Sequence, residues 1–332
     1  ILSHRLKKEE KNMTQKKRQI RGVILTLTGG TAWGFSGTCG QYIFANSQME
    51  SGMLAAIRML GAGVILLLFT LLTKKKETFG VWKNPAEAVR LVIFAIGGLM
   101  FSQFAYLTAI SYSNSGTATV FQNTGIIMVM IVSCIFARRL PKGKEVTAAV
   151  LTLIGVVLLA THGRLDGLVI SGDALLWGGL AAVALTTYTL LPGNLLKKWG
   201  TPLISGFAML IGGVVMAVAF RIWEKSWNFE IHIVLALLVM VVFGTVISFS
   251  FYLQGVSDIG PVKASMLACI EPVVATIVSA LWLGTEFAPL DLLGFALVIG
   301  ACLLVSLSGN DPETQEKTEM MPHRNAGQGE GL

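Results

Sequence analysis

The amino-acid sequence predicts an all-α membrane protein of about ten transmembrane helices, arranged as two inverted repeats of five helices each. The first reason is composition, because only 14% of the 332 residues are Asp, Glu, Lys or Arg, whereas soluble domains contain about a quarter. The second is that the charges are clustered and leave repeated apolar runs of about twenty residues, the length that crosses a bilayer core of about 30 Å. The third is a resemblance between the two halves of the chain.

Ten apolar runs bounded by charged or turn residues are the predicted spans. In chain order they are Val23–Phe44, Met53–Leu72, Leu91–Ile110, Thr117–Phe136, Val146–Ala160, Ala174–Leu191, Leu203–Ile222, Ile231–Leu253, Val262–Leu283 and Leu290–Leu307. The fifth is short, so a shift of one in the count stays open. The first run is not a secretory signal peptide, because it is too long and lacks a clean small-residue cleavage site.

The predicted spans divide the chain into four parts. Residues 1–21 form a polar, basic tail, in which Met13 is an alternative start. Residues 22–162 contain the first five spans and residues 172–308 the second five. Residues 309–332 are polar and rich in Glu, Gln and Gly, a composition that predicts disorder.

The basic residues predict the orientation. With the N-terminus in the cytoplasm and the loops assigned alternately, 22 of the 26 Lys and Arg residues fall on the inner side, three fall on the outer side, and Arg58 lies within a span. This positive-inside bias predicts a multi-pass protein of the plasma (inner) membrane with both termini cytoplasmic. It also accounts for the net charge of +7 without a nucleic-acid partner.

An internal duplication links the two halves. The stretch from Tyr106 aligns without a gap with the stretch from Tyr252, with further identities such as Ala118 and Ala264. Because each half contains an odd number of spans, the halves must have opposite orientations. Inverted repeats are typical of secondary transporters, whose substrate site lies between the halves near the midplane.

The segment SDIGPVKASMLACIEPVVATIVSALWLGTEFAPLDLLGFALVIGACLLV, with Glu271-Pro272, the Gly284-Thr285-Glu286 turn and a Gly-rich last span, resembles the second EamA domain of the drug/metabolite transporter superfamily. TAWGFSG around Trp33 and AAIRML around Arg58 resemble the first. The resemblance covers about 22–308 and implies a ten-span transporter; members export amino acids, metabolites or drugs, and some import. The first half departs from the pattern, because Gly125 aligns with Glu271, so the halves are expected to contribute unequally.

Two ionisable residues lie clearly inside predicted spans, Arg58 and Glu271, and such residues usually face a cavity or the bundle interior. Arg58 lies about 9 Å from the outer end of its span and Glu271 about 14 Å from the inner end of its own. We expect Glu271, Pro272 and Arg58 to couple or gate transport: Glu271 by protonation, Pro272 by kinking the helix, and Arg58, if within reach, by stabilising the charged form of Glu271. The alternatives are that Arg58 binds backbone carbonyls or extends to the outer surface, and that Glu271-Pro272 is only a capped break.

Polar and aromatic residues at helical spacing are the predicted substrate-binding residues. They are Trp33, Gln41, Gln103, Tyr106, Gln122, Asn123, Tyr188 and Tyr252. The alternative is that these side chains make hydrogen bonds between helices and never meet substrate. Gly30 and Gly34 form a GxxxG pair, which favours close packing within the chain over a dimer interface, although a homodimer stays open.

The sequence favours a secondary transporter that exports small metabolites such as amino acids, and the alternative is uptake of a metabolite or sugar. No catalytic, nucleotide-binding or metal-ligand motif is present, so neither an enzyme, a cofactor nor a metal is expected. The four cysteines lie in apolar segments without partner spacing and are expected to serve packing. The expected partners are the lipid bilayer and a small-molecule substrate.

Overall fold

A computed structural model describes residues 2–73, 79–161, 170–225, 230–260, 263–264, 267–268 and 270–308. The predicted inner loop at Lys74–Lys76, the predicted outer loop at Arg164, the first residue of the predicted ninth span and the C-terminal tail 309–332 lie outside these residues. The described residues are helical, with short connections and no strand.

Ten longer helices can be labelled among the described residues. They are α1 (Leu2–Asn46), α2 (Ser51–Thr73), α3 (Pro85–Tyr112), α4 (Ser115–Phe136), α5 (Gly143–Thr161), α6 (Gly172–Leu190), α7 (Thr201–Ala219), α8 (Ile231–Ile259), α9 (Ile270–Leu283) and α10 (Pro289–Ser308). Each predicted span overlaps one of them. The basic tail is not separate from the first span, because α1 continues from Leu2 through both.

Six of these helices are long and apolar enough to cross a membrane, namely α2, α3, α4, α6, α7 and α8. Helix α9 and the first part of α10 are shorter apolar helices. Helix α1 is not among the six, and its apolar part is rich in Gly and Thr. The helical, multi-pass architecture expected from the sequence is confirmed, while the count of ten spans stays a prediction.

Helix α1 packs against α8 and α9, and α6 packs against α3 and α4. Helices α2 and α7 form one further pair, and α5 and α10 another. Small residues allow the closest of these contacts. A Cβ built on Gly30 would lie 2.7 Å from Ile270 Cγ2, and one on Gly34 would lie 2.5 Å from the Glu271 carbonyl oxygen. The GxxxG pair therefore brings α1 against the start of α9 within the chain.

Four interruptions lie along the central helices. Helix α3 contains a π-helical segment at Phe94–Met100, and α8 contains one at Val242–Ile247. Helix α4, predicted as continuous, breaks at Thr124, and α9 begins at Ile270 after a turn at Ala268. Hydropathy cannot reveal such breaks, because apolar residues occupy both sides of each. π-Helical turns and broken helices often mark functional sites.

Ion pairs join helix ends that lie on the predicted inner side. Asp258 at the end of α8 pairs with Arg18 at 3.2 Å and Arg21 at 2.8 Å, both on α1. Glu87 on α3 pairs with Lys198 of the short helix Gly193–Trp199, at 2.5 Å. These ion pairs join the ends of α1, α3 and α8, whose central segments contribute residues to the candidate site.

Candidate functional site

Four aromatic rings form a cluster at the contact of α1, α6 and α8. The ring centroid of Trp33 lies 4.8 Å from that of Phe249, 4.9 Å from that of Tyr252 and 6.3 Å from that of Tyr188. Tyr188 lies 5.7 Å from Phe249 and 5.9 Å from Tyr252. We call Trp33, Tyr188, Phe249 and Tyr252 the aromatic cluster. Three of its members were predicted as substrate-binding residues.

Phe249 was not predicted, although its position three residues before Tyr252 places both rings on one face of α8. The cluster also carries polar atoms. The Tyr252 hydroxyl and Thr189 Oγ1 are 3.0 Å apart, so one donates to the other. The indole Nε1 of Trp33 is buried and has no hydrogen-bond partner among the described residues. The cluster is thus an apolar surface with a hydrogen-bond donor.

Arg58 of α2 is fixed by the π-helical segment of α8. Its Nε donates to Thr245 Oγ1 at 2.5 Å and its Nη2 donates to the carbonyl oxygen of Gly244 at 2.6 Å. Thr245 Oγ1 in turn donates to the Met240 carbonyl five residues earlier, at 2.9 Å. Only 2% of Arg58 is exposed, so the side chain does not extend to the outer surface. It binds a backbone carbonyl, as the alternative interpretation expected.

Glu271 lies within electrostatic range of Arg58, Tyr106 and Tyr188. The two side chains nevertheless form no direct ion pair, because no nitrogen of Arg58 lies within 4.0 Å of a Glu271 carboxyl oxygen. Glu271 is 4% exposed. The site therefore combines a buried cation of α2 and a buried acid of α9 without a direct ion pair.

Pro272 does not kink a continuous helix, which corrects the expectation. It lies in the first turn of α9, where a helix tolerates proline because the first amide groups have no intrahelical partner. The Ala268 carbonyl accepts a hydrogen bond from the Glu271 N–H at 2.9 Å. Glu271 is consequently held at the beginning of a half-helix.

Gln41 lies at the end of the site nearer the predicted outer side and makes three side-chain hydrogen bonds to the protein. Its Nε2 donates to Thr285 Oγ1 at 3.1 Å. Its Oε1 accepts from the Ser115 N–H at 2.9 Å and from Ser279 Oγ at 3.0 Å. These bonds join α1 to the start of α4 and to the end of α9. The geometry favours a link between helices for Gln41 over substrate contact.

The remaining predicted residues lie on α3 and α4 and are all buried. The Tyr106 hydroxyl and Thr119 Oγ1 are 2.9 Å apart, and Asn123 Nδ2 donates to the Thr119 carbonyl at 2.8 Å. Gln122 is buried on the same half-helix. The Nε2 of Gln103 has no hydrogen-bond partner among the described residues. Tyr106 thus bonds to α4 and lies near Arg58 and Glu271, and one of the hydrogen bonds of Asn123 is within its own helix.

This arrangement can bind and orient a small molecule. Within the described residues no group of three or more His, Cys, Asp or Glu could hold a metal ion. Helices of both halves meet at the site. Arg58 comes from the first half and Glu271 from the second, and the aromatic cluster takes residues from both. A site at such a contact is the arrangement found in transporters with internal repeats.

Comparisons with known proteins agree with this geometry. The chain matches the EamA-like transporter family over residues 20–161 and again over residues 173–307. It is 36% identical to an uncharacterized inner membrane transporter, YicL of Salmonella typhimurium, over 86% of this chain and 95% of that protein. It is 27% identical to the uncharacterized transporter YyaM of Bacillus subtilis, over 77% and 81%.

PecM of Dickeya dadantii is 26% identical over 76% of this chain and 81% of its own. A crystal structure aligns with a TM-score of 0.62 at 17% identity, covering 89% of this chain and 97% of that one, which supports the fold. The family accounts for the multi-pass helices and the buried polar and aromatic residues together. The protein is a membrane transporter and belongs to the EamA-like transporter family, within the drug/metabolite transporter superfamily.

Proposed function

We propose that the protein is a secondary transporter that exports small amphipathic metabolites, such as amino acids, by alternating access between two inverted halves. The observation that carries the proposal is the buried centre formed by Arg58, Glu271 and the aromatic cluster, where helices of both halves meet. A charged group beside an apolar surface suits a molecule with a polar and an apolar part. Uptake of a metabolite or sugar is the alternative, because the same site serves either direction.

Equivalent contacts in the two halves support the inverted arrangement. Exchanging the two halves, so that α1–α5 take the places of α6–α10 and the reverse, turns the α1–α8 and α1–α9 contacts into the α6–α3 and α6–α4 contacts. The α2–α7 and α5–α10 pairs join equivalent helices directly. The π-helical segments lie in equivalent helices, α3 and α8, and the family match is itself double. Two such halves can rock about a site between them.

Hydrogen bonds and ion pairs at the two ends of the site support alternating access. Gln41 links α1, α4 and α9 toward the predicted outer side. At the predicted inner side, Asp258 and its two arginines link α1 to α8. Opening of either end requires the contacts at that end to separate. Helix α1 takes part in both, so its movement is a natural way to alternate access.

The membrane placement is part of the proposal. The positive-inside bias of the sequence and the inner membrane named for YicL support an inner, plasma-membrane location with both termini in the cytoplasm. The partners are then the lipid bilayer and the transported small molecule, with no nucleic acid; a homodimer stays open. No cofactor takes part in this proposal.

Glu271 is the residue proposed to couple transport to protons. It is a buried acid, and the charged or titratable groups that face it are Arg58 of α2, Tyr106 of α3 and Tyr188 of α6. A carboxylate that takes up and releases a proton as access alternates links the proton gradient to substrate movement. Its equivalent in the first half is Gly125, which cannot substitute for it.

The test begins with a metabolite profile of cells with and without the protein, which identifies the exported compounds. Flux of those compounds is then measured against pH in proteoliposomes containing the wild type or Glu271→Gln, at equal protein density. We expect the Gln variant to insert and transport with a flat pH profile, because it mimics the protonated acid. Glu271→Ala is expected to transport less. Identical pH profiles for wild type and Glu271→Gln would reject proton coupling, and an unchanged metabolite profile would reject export.

A further inference from the structure

One of the three guanidinium nitrogens of Arg58, Nη1, donates no hydrogen bond to the described residues. Its Nε and Nη2 are bound by Thr245 and Gly244, whereas its Nη1 is buried and has no hydrogen-bond partner among the described residues. Buried polar atoms are nearly always paired in folded proteins, and the charged ones carry the largest penalty when they are not. An arginine that is otherwise held so tightly is therefore expected to have a partner for Nη1.

Glu271 is not that partner. It lies within electrostatic range, but its carboxylate oxygens are more than 4.0 Å from every nitrogen of Arg58. The other titratable groups near Arg58 are Tyr106 and Cys39, which carry no carboxylate. The Tyr106 hydroxyl is paired with Thr119. The described part of the chain thus surrounds Nη1 without providing a carboxylate for it.

Two further buried donors, on α1 and α3, also lack a hydrogen-bond partner among the described residues. They are Trp33 Nε1 and Gln103 Nε2, which can only donate. A ligand that complements them must accept hydrogen bonds. A carboxylate suits an arginine best, because it accepts charge-assisted bonds from the guanidinium group.

We propose that the transported molecule carries a carboxylate, which binds Nη1 of Arg58 while the apolar part of the molecule packs on the aromatic cluster. This inference rests on the proposed transport function and restricts it to acids and zwitterions. The two hydrogen bonds from α8 hold the guanidinium group in place before the ligand arrives, which lowers the cost of ordering it. Arg58 therefore selects substrates by their acidic group.

The test uses pairs of compounds that differ only in the carboxylate. The probes are L-phenylalanine with L-phenylalaninamide, and 3-phenylpropanoate with 3-phenylpropanamide, added as competitors of the exported compounds identified above. We expect each acid to inhibit wild-type flux at concentrations roughly ten- to a hundredfold lower than its amide, as for a hydrogen bond to a charged group. Equal inhibition by acid and amide, or inhibition by neither, would overturn the carboxylate site while measured transport still stands.

A variant assigns the preference to Arg58. Arg58→Lys keeps the charge but not the guanidinium geometry, and we expect it to reduce the acid-to-amide preference by about tenfold. Arg221→Lys is the matched control, because this exposed arginine pairs only weakly with Glu224, at 3.7 Å, and we expect no change there. An unaltered preference in Arg58→Lys would remove Arg58 from the site. If that variant does not insert, the wild-type comparison of acids and amides decides the inference alone.

Discussion

Helix α4 breaks at Thr124 and helix α9 begins at Ile270, positions that the alignment of the two halves places opposite each other. The next residue is Gly125 in one half and Glu271 in the other. The Gly125 carbonyl accepts a hydrogen bond from Thr186 Oγ1 at 3.1 Å, and Ala182 of α6 packs directly against Gly125. In the second half Gly34 of α1 packs against the Glu271 backbone. The duplicated backbone is thus retained, while the ionisable group is confined to one half.

The position of the glycine in each contact explains why a glutamate is accommodated at position 271 but not at position 125. At the α4 break the glycine is on the broken helix itself, whereas at the start of α9 it is on the facing helix α1. Each contact therefore needs one glycine. In the first half this glycine belongs to the broken helix α4, and in the second half it belongs to α1, the partner of α9. The comparison teaches that a repeat can preserve close helix packing while the two copies acquire different chemistry.

The largest effect is expected from moving the acid between the halves. In the double variant Glu271→Gly with Gly125→Glu, the new side chain would meet the Ala182 backbone and lose the surroundings of Glu271. Flux in proteoliposomes should fall by more than about tenfold, because a buried carboxylate in an unsuitable place is strongly unfavourable. Glu271→Gln is the control for loss of the charge alone. Wild-type flux and pH dependence in the double variant would show that the halves are interchangeable.

A smaller effect is expected from filling the contact that the second half depends on. Gly34→Ala places a Cβ 2.5 Å from the Glu271 carbonyl and 2.8 Å from Val274, and such overpacking costs about 1–3 kcal/mol. Gly179→Ala is the matched control, because its Cβ would meet nothing within 4 Å, and it should be neutral or slightly stabilising. Thermal unfolding in detergent measures both. Equal stability of the two variants would contradict the close α1–α9 contact.

The smallest effects concern the caps of the last helix in each half. Glu145 accepts from the Lys142 N–H at 2.7 Å, and Asp291 accepts from the Ala288 N–H at 2.9 Å. Glu145 also binds both terminal nitrogens of Arg139, each at 2.8 Å. Glu145→Gln should therefore cost about 1–2 kcal/mol of the free energy of unfolding, and Asp291→Asn about 0.5–1 kcal/mol.

The pH dependence of the free energy of unfolding tests the cap formed by Glu145, which precedes the predicted span Val146–Ala160. Burial raises the pKa of Glu145, but the hydrogen bonds from Arg139 and the Lys142 N–H outweigh burial and hold the pKa below its ordinary value. The stabilisation is then complete above the pKa of the unfolded chain and is lost as pH falls through the lower folded pKa. The stability difference between wild type and Glu145→Gln should shrink below about pH 4. A constant difference would contradict the ion pair.

The sequence predicted where the helices lie, because apolar runs and charged boundaries depend on composition alone. It also placed Trp33, Tyr188 and Tyr252 in one group, as polar or aromatic residues at helical spacing within the predicted spans. It did not predict the π-helical segments or the break at Thr124, which depend on tertiary contacts rather than on local hydropathy. For the same reason it could not separate Gln41, whose partners lie on distant helices, from residues that face the centre.

The π-helical segment of α8 carries an extra residue within one turn. The side-chain hydroxyls of Thr245 and Ser248 donate hydrogen bonds to backbone carbonyls five residues earlier. If this segment relaxed to α-helical geometry, everything beyond it would rotate by about 100° relative to everything before it. Phe249 and Tyr252 would leave the aromatic cluster, and the Gly244 carbonyl would turn away from Arg58. One local change of winding would thus remove two rings from the aromatic cluster and break the hydrogen bond between Gly244 and Arg58 at the same time.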